Sequence, residues 1–107
     1  MESKYAKQRI IKDIKNSDER IQVTGYIKSI SEENFILDDE SDEIKVNLKN
    51  FELKFKEKDL INVIGDISIT IEGEKMINPE IIQDMNKLNF KYYQKLYQLK
   101  KELEELN

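Results

Sequence analysis

The chain has 107 residues, a length that suits one domain built around a single hydrophobic core. It contains no cysteine and no histidine, so it lacks disulfides, thiolate and imidazole metal ligands, and the commonest general base of enzymes. No apolar run approaches the ~20 residues of a membrane span, and the start does not read as a signal peptide. We therefore expect a non-enzymatic protein with no metal, no cofactor, no small-molecule substrate and no membrane partner.

The formal net charge of −4 is unevenly distributed along the chain. Residues 1–20 carry a net charge of +2, residues 86–107 carry another +2, and residues 21–85 carry −8. An acidic centre between two mildly basic ends is unusual for a protein that binds nucleic acid by itself.

The N-terminal segment, residues 1–17, is predicted to be helical. In "YAKQRIIKDIKN", the apolar residues Tyr5, Ile10, Ile11 and Ile14 recur at roughly helical spacing. The polar run that begins at Asn16 is a plausible end for this segment.

Five strand patterns follow within residues 18–84, in the order "RIQVTGYIKSI", "NFIL", "EIKVNLK", "DLINVIGDISITI" and "KMINPEII". Gly25 and Gly65 interrupt the first and fourth patterns, as glycines do where a strand bends or bulges at a barrel corner. Pro79 in the fifth is expected at an edge, a bulge or a strand end. This order favours a five-stranded OB-fold barrel, with other small barrels as the alternative.

The acidic stretch from Asp38 to Glu43 is predicted to be the turn between the second and third strands. Asp and Ser side chains stabilise turns by accepting hydrogen bonds from nearby backbone N–H groups. The spacing does not match an EF-hand loop, which has a central glycine and a distant bidentate Glu. We expect a solvated turn, with a cation site as the alternative.

The C-terminal segment, residues 85–107, is predicted to be an amphipathic helix with two apolar rows. One row continues from Met85 and Leu88 into five residues at 4-3-4-3 spacing, here called the leucine seam: Tyr92, Leu96, Leu99, Leu103 and Leu106. The other, the aromatic row, contains Phe90, Tyr93 and Tyr97. Two rows are wider than the face that a domain of this size covers, and the seam has the spacing of a helical bundle. We expect the seam to bind a partner helix.

An ordered set of short motifs resembles the OB-fold small subunit of replication protein A and its telomere-capping relatives. The set consists of Val23–Thr24–Gly25, Asp38–Asp39, Asp59, Val63–Ile64–Gly65 and Asp84–Met85–Asn86. The resemblance covers about residues 20–100. It implies a mainly β protein with flanking helices, in which a five-stranded OB-fold barrel carries a C-terminal helix that assembles subunits. It also implies an intracellular location, nuclear in a eukaryote and cytoplasmic in a prokaryote.

The resemblance further implies binding of single-stranded DNA, by stacking bases on aromatic side chains and tracking phosphates with Lys and Arg. The two stacking positions of the family fall on Lys49 and near Thr70, and neither residue can stack as an aromatic does. The candidate binding residues are those expected to point outward, namely Tyr26, Lys28, Lys45, Asn47, Lys49 and Phe51, with Phe35 as a further outward aromatic. Alternatively, Phe51 and Phe55 plug the bottom of the barrel through a short helix.

Two functions are consistent with these patterns. The first is a single-stranded-DNA-binding accessory subunit of a replication-protein-A-like complex, a weak binder alone, forming a homo- or hetero-oligomer through its C-terminal helix. The second is an OB-fold protein-interaction module that has lost nucleic-acid binding. The resemblance favours the first, whereas the acidic barrel and the missing stacking aromatics favour the second.

Overall fold

The computed structural model describes residues 5–106. Its elements are β1 (Lys7–Gln8), one turn of 3-10 helix (Ile11–Asp13), β2 (Arg20–Ile30), β3 (Asn34–Asp38), β4 (Glu43–Asn47), β5 (Leu60–Ile69), β6 (Lys75–Asp84) and the helix α1 (Phe90–Glu105). Over these residues, no helix combines the length and the apolar character that crossing a bilayer requires.

The five long strands close into a barrel. The sheet runs β2–β3–β4–β6–β5, and β5 pairs back with β2 to complete the ring. The pairing of β4 with β6 is parallel, and the other pairings within the ring are antiparallel. The short β1 adds to β2 in parallel. The predicted five-stranded OB-fold barrel with a C-terminal helix is confirmed.

The barrel interior is filled by the alternate residues of each strand, as the period of two requires. The most deeply buried side chains are Ile21, Val23, Ile27, Phe35, Leu37, Val46, Ile61, Val63 and Ile77. The expectation that Phe35 points outward is wrong, because it pairs with Val46 on the inner face. Phe55 packs against this core, as the plug interpretation expects, but residues 48–59 form no helix.

The two strand glycines permit close backbone approaches. A Cβ on Gly65 would lie 2.1 Å from the carbonyl oxygen of Asn78 and 2.9 Å from the Cα of Pro79. The β5–β6 register shifts at this point, where Gly65 faces Pro79, so Pro79 occupies the predicted bulge. A Cβ on Gly25 would lie 2.9 Å from the carbonyl oxygen of Asp38.

The predicted N-terminal helix over residues 1–17 is wrong where the structure describes it. From residue 5 onward the segment forms β1 and the single 3-10 turn, while residues 1–4 lie outside the described residues. Ladder bonds to β2 take the place of helical ones, and the backbone N–H of Arg9 donates to the carbonyl of Gln22 at 3.1 Å. Ile11 and Ile14 enter the barrel core.

The C-terminal helix begins at Phe90 rather than near residue 85. Asn89 caps it by accepting a hydrogen bond from the backbone N–H of Tyr92 at 3.1 Å. Before the cap, the side chain of Asn86 accepts a hydrogen bond from the backbone N–H of Leu60 at 2.8 Å. The segment that was expected to open the helix is therefore a turn fastened to the barrel.

The substitution Gly65→Ala should destabilise the fold by about 1–3 kcal/mol, because the added methyl overlaps backbone atoms rather than a movable side chain. Urea unfolding measures the loss. The control is Gly73→Asn. Gly73 lies in a turn with φ +88, and a Cβ added there would have no heavy atom within 4 Å. Because Asn tolerates this conformation, the control should change stability little. Equal losses in the two variants would contradict the bulge account.

Candidate helix-docking and nucleic-acid interfaces

The aromatic row of α1 faces the barrel. Phe90 and Tyr97 are buried, with 7% and 8% of their surface exposed, and Tyr93 is half-buried. The Phe90 ring meets Tyr26 of β2 edge to face, with centroids 5.3 Å apart, and stacks on Tyr93 at 6.1 Å. Such aromatic pairs add to the free energy gained by burying their area. The aromatic row therefore attaches the first half of the helix to β2.

Polar contacts fix the second half of α1 to the N-terminal segment. The Tyr97 hydroxyl and the Lys101 ammonium each donate to Oδ2 of Asp13 at 3.0 Å. The Gln8 amide donates to the Tyr93 hydroxyl at 2.8 Å. Burial alone would raise the pKa of Asp13, but the hydrogen bonds from Lys101 and Tyr97 outweigh it and hold the pKa below its ordinary value of 3.8.

The acidic stretch is the predicted turn, but it is not wholly solvated, because Asp39 is only 3% exposed. Its Oδ2 accepts the backbone N–H of Ile11 at 2.7 Å, and its Oδ1 accepts the hydroxyl of Ser41 at 2.6 Å. The Gln94 amide of α1 donates to the Asp39 carbonyl at 3.3 Å. The turn thus joins the barrel to both the N-terminal segment and the helix. Within residues 5–106, no group of three or more acidic side chains is arranged to hold a metal ion.

The leucine seam lies on the side of α1 that faces away from the barrel. The exposed fractions are 61% for Tyr92, 40% for Leu96, 55% for Leu99, 63% for Leu103 and 81% for Leu106. Because the aromatic row packs against the barrel, the helix exposes this second apolar row to solvent. Burying a Leu side chain stabilises an assembly by ~1.5–3 kcal/mol, so the seam is suited to docking another helix.

Three of the six residues predicted to contact DNA have partners within the chain that compete with that role. Tyr26 is half-buried, and its ring already packs edge to face against Phe90. Lys28 forms an ion pair with Glu43 and lies 3.8 Å from Asp38. On β4, the Lys45 ammonium lies 3.5 Å from a carboxylate oxygen of Glu74.

The other three predicted DNA contacts lie on or after β4. The Asn47 amide donates to the side-chain oxygen of Asn78 at 3.0 Å, and its own oxygen accepts the backbone N–H of Lys49. Lys49 is exposed and Phe51 is half-buried. The expected outward parity on β4 is confirmed, and Tyr26 on β2 contacts the helix through Phe90.

Sequence reasoning missed the two carboxylates that hold the ends of the chain, Asp13 and Asp39. In the sequence, Asp13 is one more charge in a polar segment, and Asp39 is one of five acids in a turn. The partners that tie them to distant parts of the chain lie between 28 and 88 residues away. The signal that was available is the basic character of both ends, which the fold brings together.

The solved structures that share this fold include two from S. pombe, although neither a family model nor a curated protein matches the sequence. A chain in the crystal structure of the S. pombe Stn1–Ten1 complex is 15% identical, with 94% of this chain and 96% of that chain covered and a TM-score of 0.76. The telomere capping protein Ten1 from S. pombe is 16% identical, with coverage of 92% and 99% and a TM-score of 0.74. The resemblance to telomere-capping OB-fold proteins is confirmed at the level of the fold.

The substitution Asp13→Asn should lower the stability of the fold near neutral pH. It should also make that stability less dependent on pH in the acid range. Because the pKa of Asp13 is lowered in the folded protein, its ionised form stabilises the fold above pH 3.8, and this contribution is lost as pH falls through the lower folded value. Urea unfolding across that pH range tests this. Glu52→Gln, which changes an exposed carboxylate, is the control, and equal pH profiles for the two variants would contradict the role given to Asp13.

Proposed function

We propose that this chain is a non-enzymatic accessory subunit that assembles through α1 into a replication-protein-A-like complex on single-stranded DNA. The S. pombe structures of the same fold include a Stn1–Ten1 complex and a telomere capping protein, so telomeric DNA is the natural setting. In a eukaryote the protein then acts in the nucleus. Its own contribution to DNA affinity is small, and assembly is its main role.

The exposed leucine seam carries this proposal. The aromatic row packs against the barrel. The hydrogen bonds that Asp13 accepts from α1, and the one that Gln94 donates, fix the rotation of the helix about its axis. Rotating α1 to bury the seam would break these contacts and expose Phe90 and Tyr97 instead. A second helix is the element that covers a seam of 4-3-4-3 spacing without disturbing the barrel.

The substitution Leu99→Asp should dissociate the assembly while the barrel stays folded, because it places a charge at the centre of the seam. Sedimentation velocity measures the mass, and circular dichroism measures the fold. The matched control is Gln98→Asp, which makes the same change in charge at the neighbouring exposed position, and it should leave the assembly intact.

Two results would overturn the assembly proposal. One is a wild-type chain that is monomeric at high concentration and co-purifies with no other protein. The other is equal dissociation by Leu99→Asp and Gln98→Asp, since the effect would then come from charge rather than from the seam.

Single-stranded DNA binding by the isolated chain should be weak, around micromolar or worse, with a shallow dependence on salt. Few phosphates are neutralised by a barrel whose Lys28 and Lys45 already face carboxylates. Fluorescence anisotropy with a labelled oligonucleotide over a salt series is the measurement. Nanomolar affinity with a steep salt dependence would contradict it.

The alternative is an OB-fold interaction module that has lost nucleic-acid binding. The contact between Tyr26 and Phe90 favours it, because the one outward aromatic of β2 is used inside the protein. This alternative keeps the same seam and differs only in predicting no binding of single strands at any salt concentration.

A further inference from the structure

The two basic ends of the chain meet at a groove between the N-terminal segment and the second half of α1. The groove has a volume of about 550 Å³. Of the residues that the structure describes, five basic side chains line it: Lys7, Arg9 and Lys15 from the N-terminal segment, and Lys100 and Lys101 from the helix. Its position on the flank of α1 keeps it separate from the exposed leucine seam.

Two of these bases are neutralised inside the protein, and three are not. Arg9 forms a bidentate ion pair with Asp18 at 2.9 and 3.0 Å, and Lys101 binds Asp13 at 3.0 Å. Lys7 is near enough to Asp18 to sense its charge, but no ion pair joins them. Within residues 5–106, three lysines have no ion-pair partner in this groove: Lys7, Lys15 and Lys100.

We propose that this groove binds the phosphate groups of a single-stranded nucleic acid without reading its bases. The inference rests on the nucleic-acid part of the proposed function and names where that weak contact is made. Lysine ammonium groups bind phosphates as point charges. Among the described residues that line the groove, the only aromatic is Tyr97, which is 8% exposed with its hydroxyl held by Asp13, so the lining itself offers no ring for stacking.

An acidic protein segment fits the groove less well. Protein partners gain most of their binding energy from aromatic or aliphatic anchors in desolvated pockets, and this lining offers no open apolar pocket. A phosphate backbone needs only positive charge and space. The acids at the helix end, Glu104 and Glu105, also line the groove and keep its affinity for any polyanion low.

The experiment is a salt series with the full chain and a labelled oligothymidylate, read by fluorescence anisotropy. In the triple variant Lys7→Gln, Lys15→Gln and Lys100→Gln, affinity at low salt should fall by about tenfold or more, and the salt slope should fall by about 2, at ~0.7 per phosphate contact. In the double variant Glu104→Gln and Glu105→Gln, affinity should rise. The control is Lys54→Gln with Lys87→Gln, which removes charge at two exposed lysines outside the groove lining and should keep wild-type affinity.

The outcomes separate the groove from the rest of the proposed function. Wild-type affinity in the triple variant, or a loss in the control, overturns the groove alone. A wild-type chain that binds no oligothymidylate overturns the groove and the nucleic-acid role together, while the assembly measured by sedimentation still stands. Competition by polyglutamate as strong as by unlabelled oligothymidylate overturns the choice of nucleic acid and identifies an acidic protein as the occupant.

Discussion

Helix α1 can pack only one of its two apolar rows against the barrel. Which row packs there determines which apolar side chains the helix exposes to solvent. The aromatic row packs against the barrel because the Phe90 ring contacts Tyr26 and because the Tyr97 hydroxyl donates a hydrogen bond to Asp13. Ring packing and a charge-assisted hydrogen bond act along the same side of the helix. The leucine seam then faces outward as a second apolar face, with side chains 40% to 81% exposed.

The N-terminal segment stabilises this orientation of α1. It is too short to form a domain element of its own, and it is held by two carboxylates, with Asp39 accepting from Ile11 and Asp13 accepting from α1. The acidic turn, the 3-10 turn and the helix therefore form one connected set of contacts. Because this set brings both basic ends of the chain to the same side, it also separates the positive groove from the acidic barrel.

The strands could be predicted from the sequence because alternation, glycine positions and Pro79 all depend on local geometry. The order of these patterns favours a five-stranded OB-fold barrel and the resemblance implies one, and the structure confirms it. The contact between Tyr26 and the helix could not be predicted in this way. The alternation of β2 places Tyr26 on the outer face, and its partner Phe90 lies 64 positions later in the chain. Asp39 is a similar case, because Glu40 and Asp42 of the same turn are exposed and only the folded N-terminal segment distinguishes Asp39 from them. The spacing of Ile10, Ile11 and Ile14 fits a helix, but hydrogen bonding to β2 prevails over that local pattern.

The most direct test of the central claim uses the absence of cysteine from the chain. A single thiol introduced as Leu99→Cys reports on the seam, and one introduced as Gln98→Cys reports on the adjacent polar side. Thiol-labelling rates are measured in dilute solution and again at high concentration or with the co-purified partner. The account predicts that labelling slows on assembly for Leu99→Cys and stays unchanged for Gln98→Cys. Equal rates at both positions under every condition would contradict the claim that α1 docks another helix through the leucine seam.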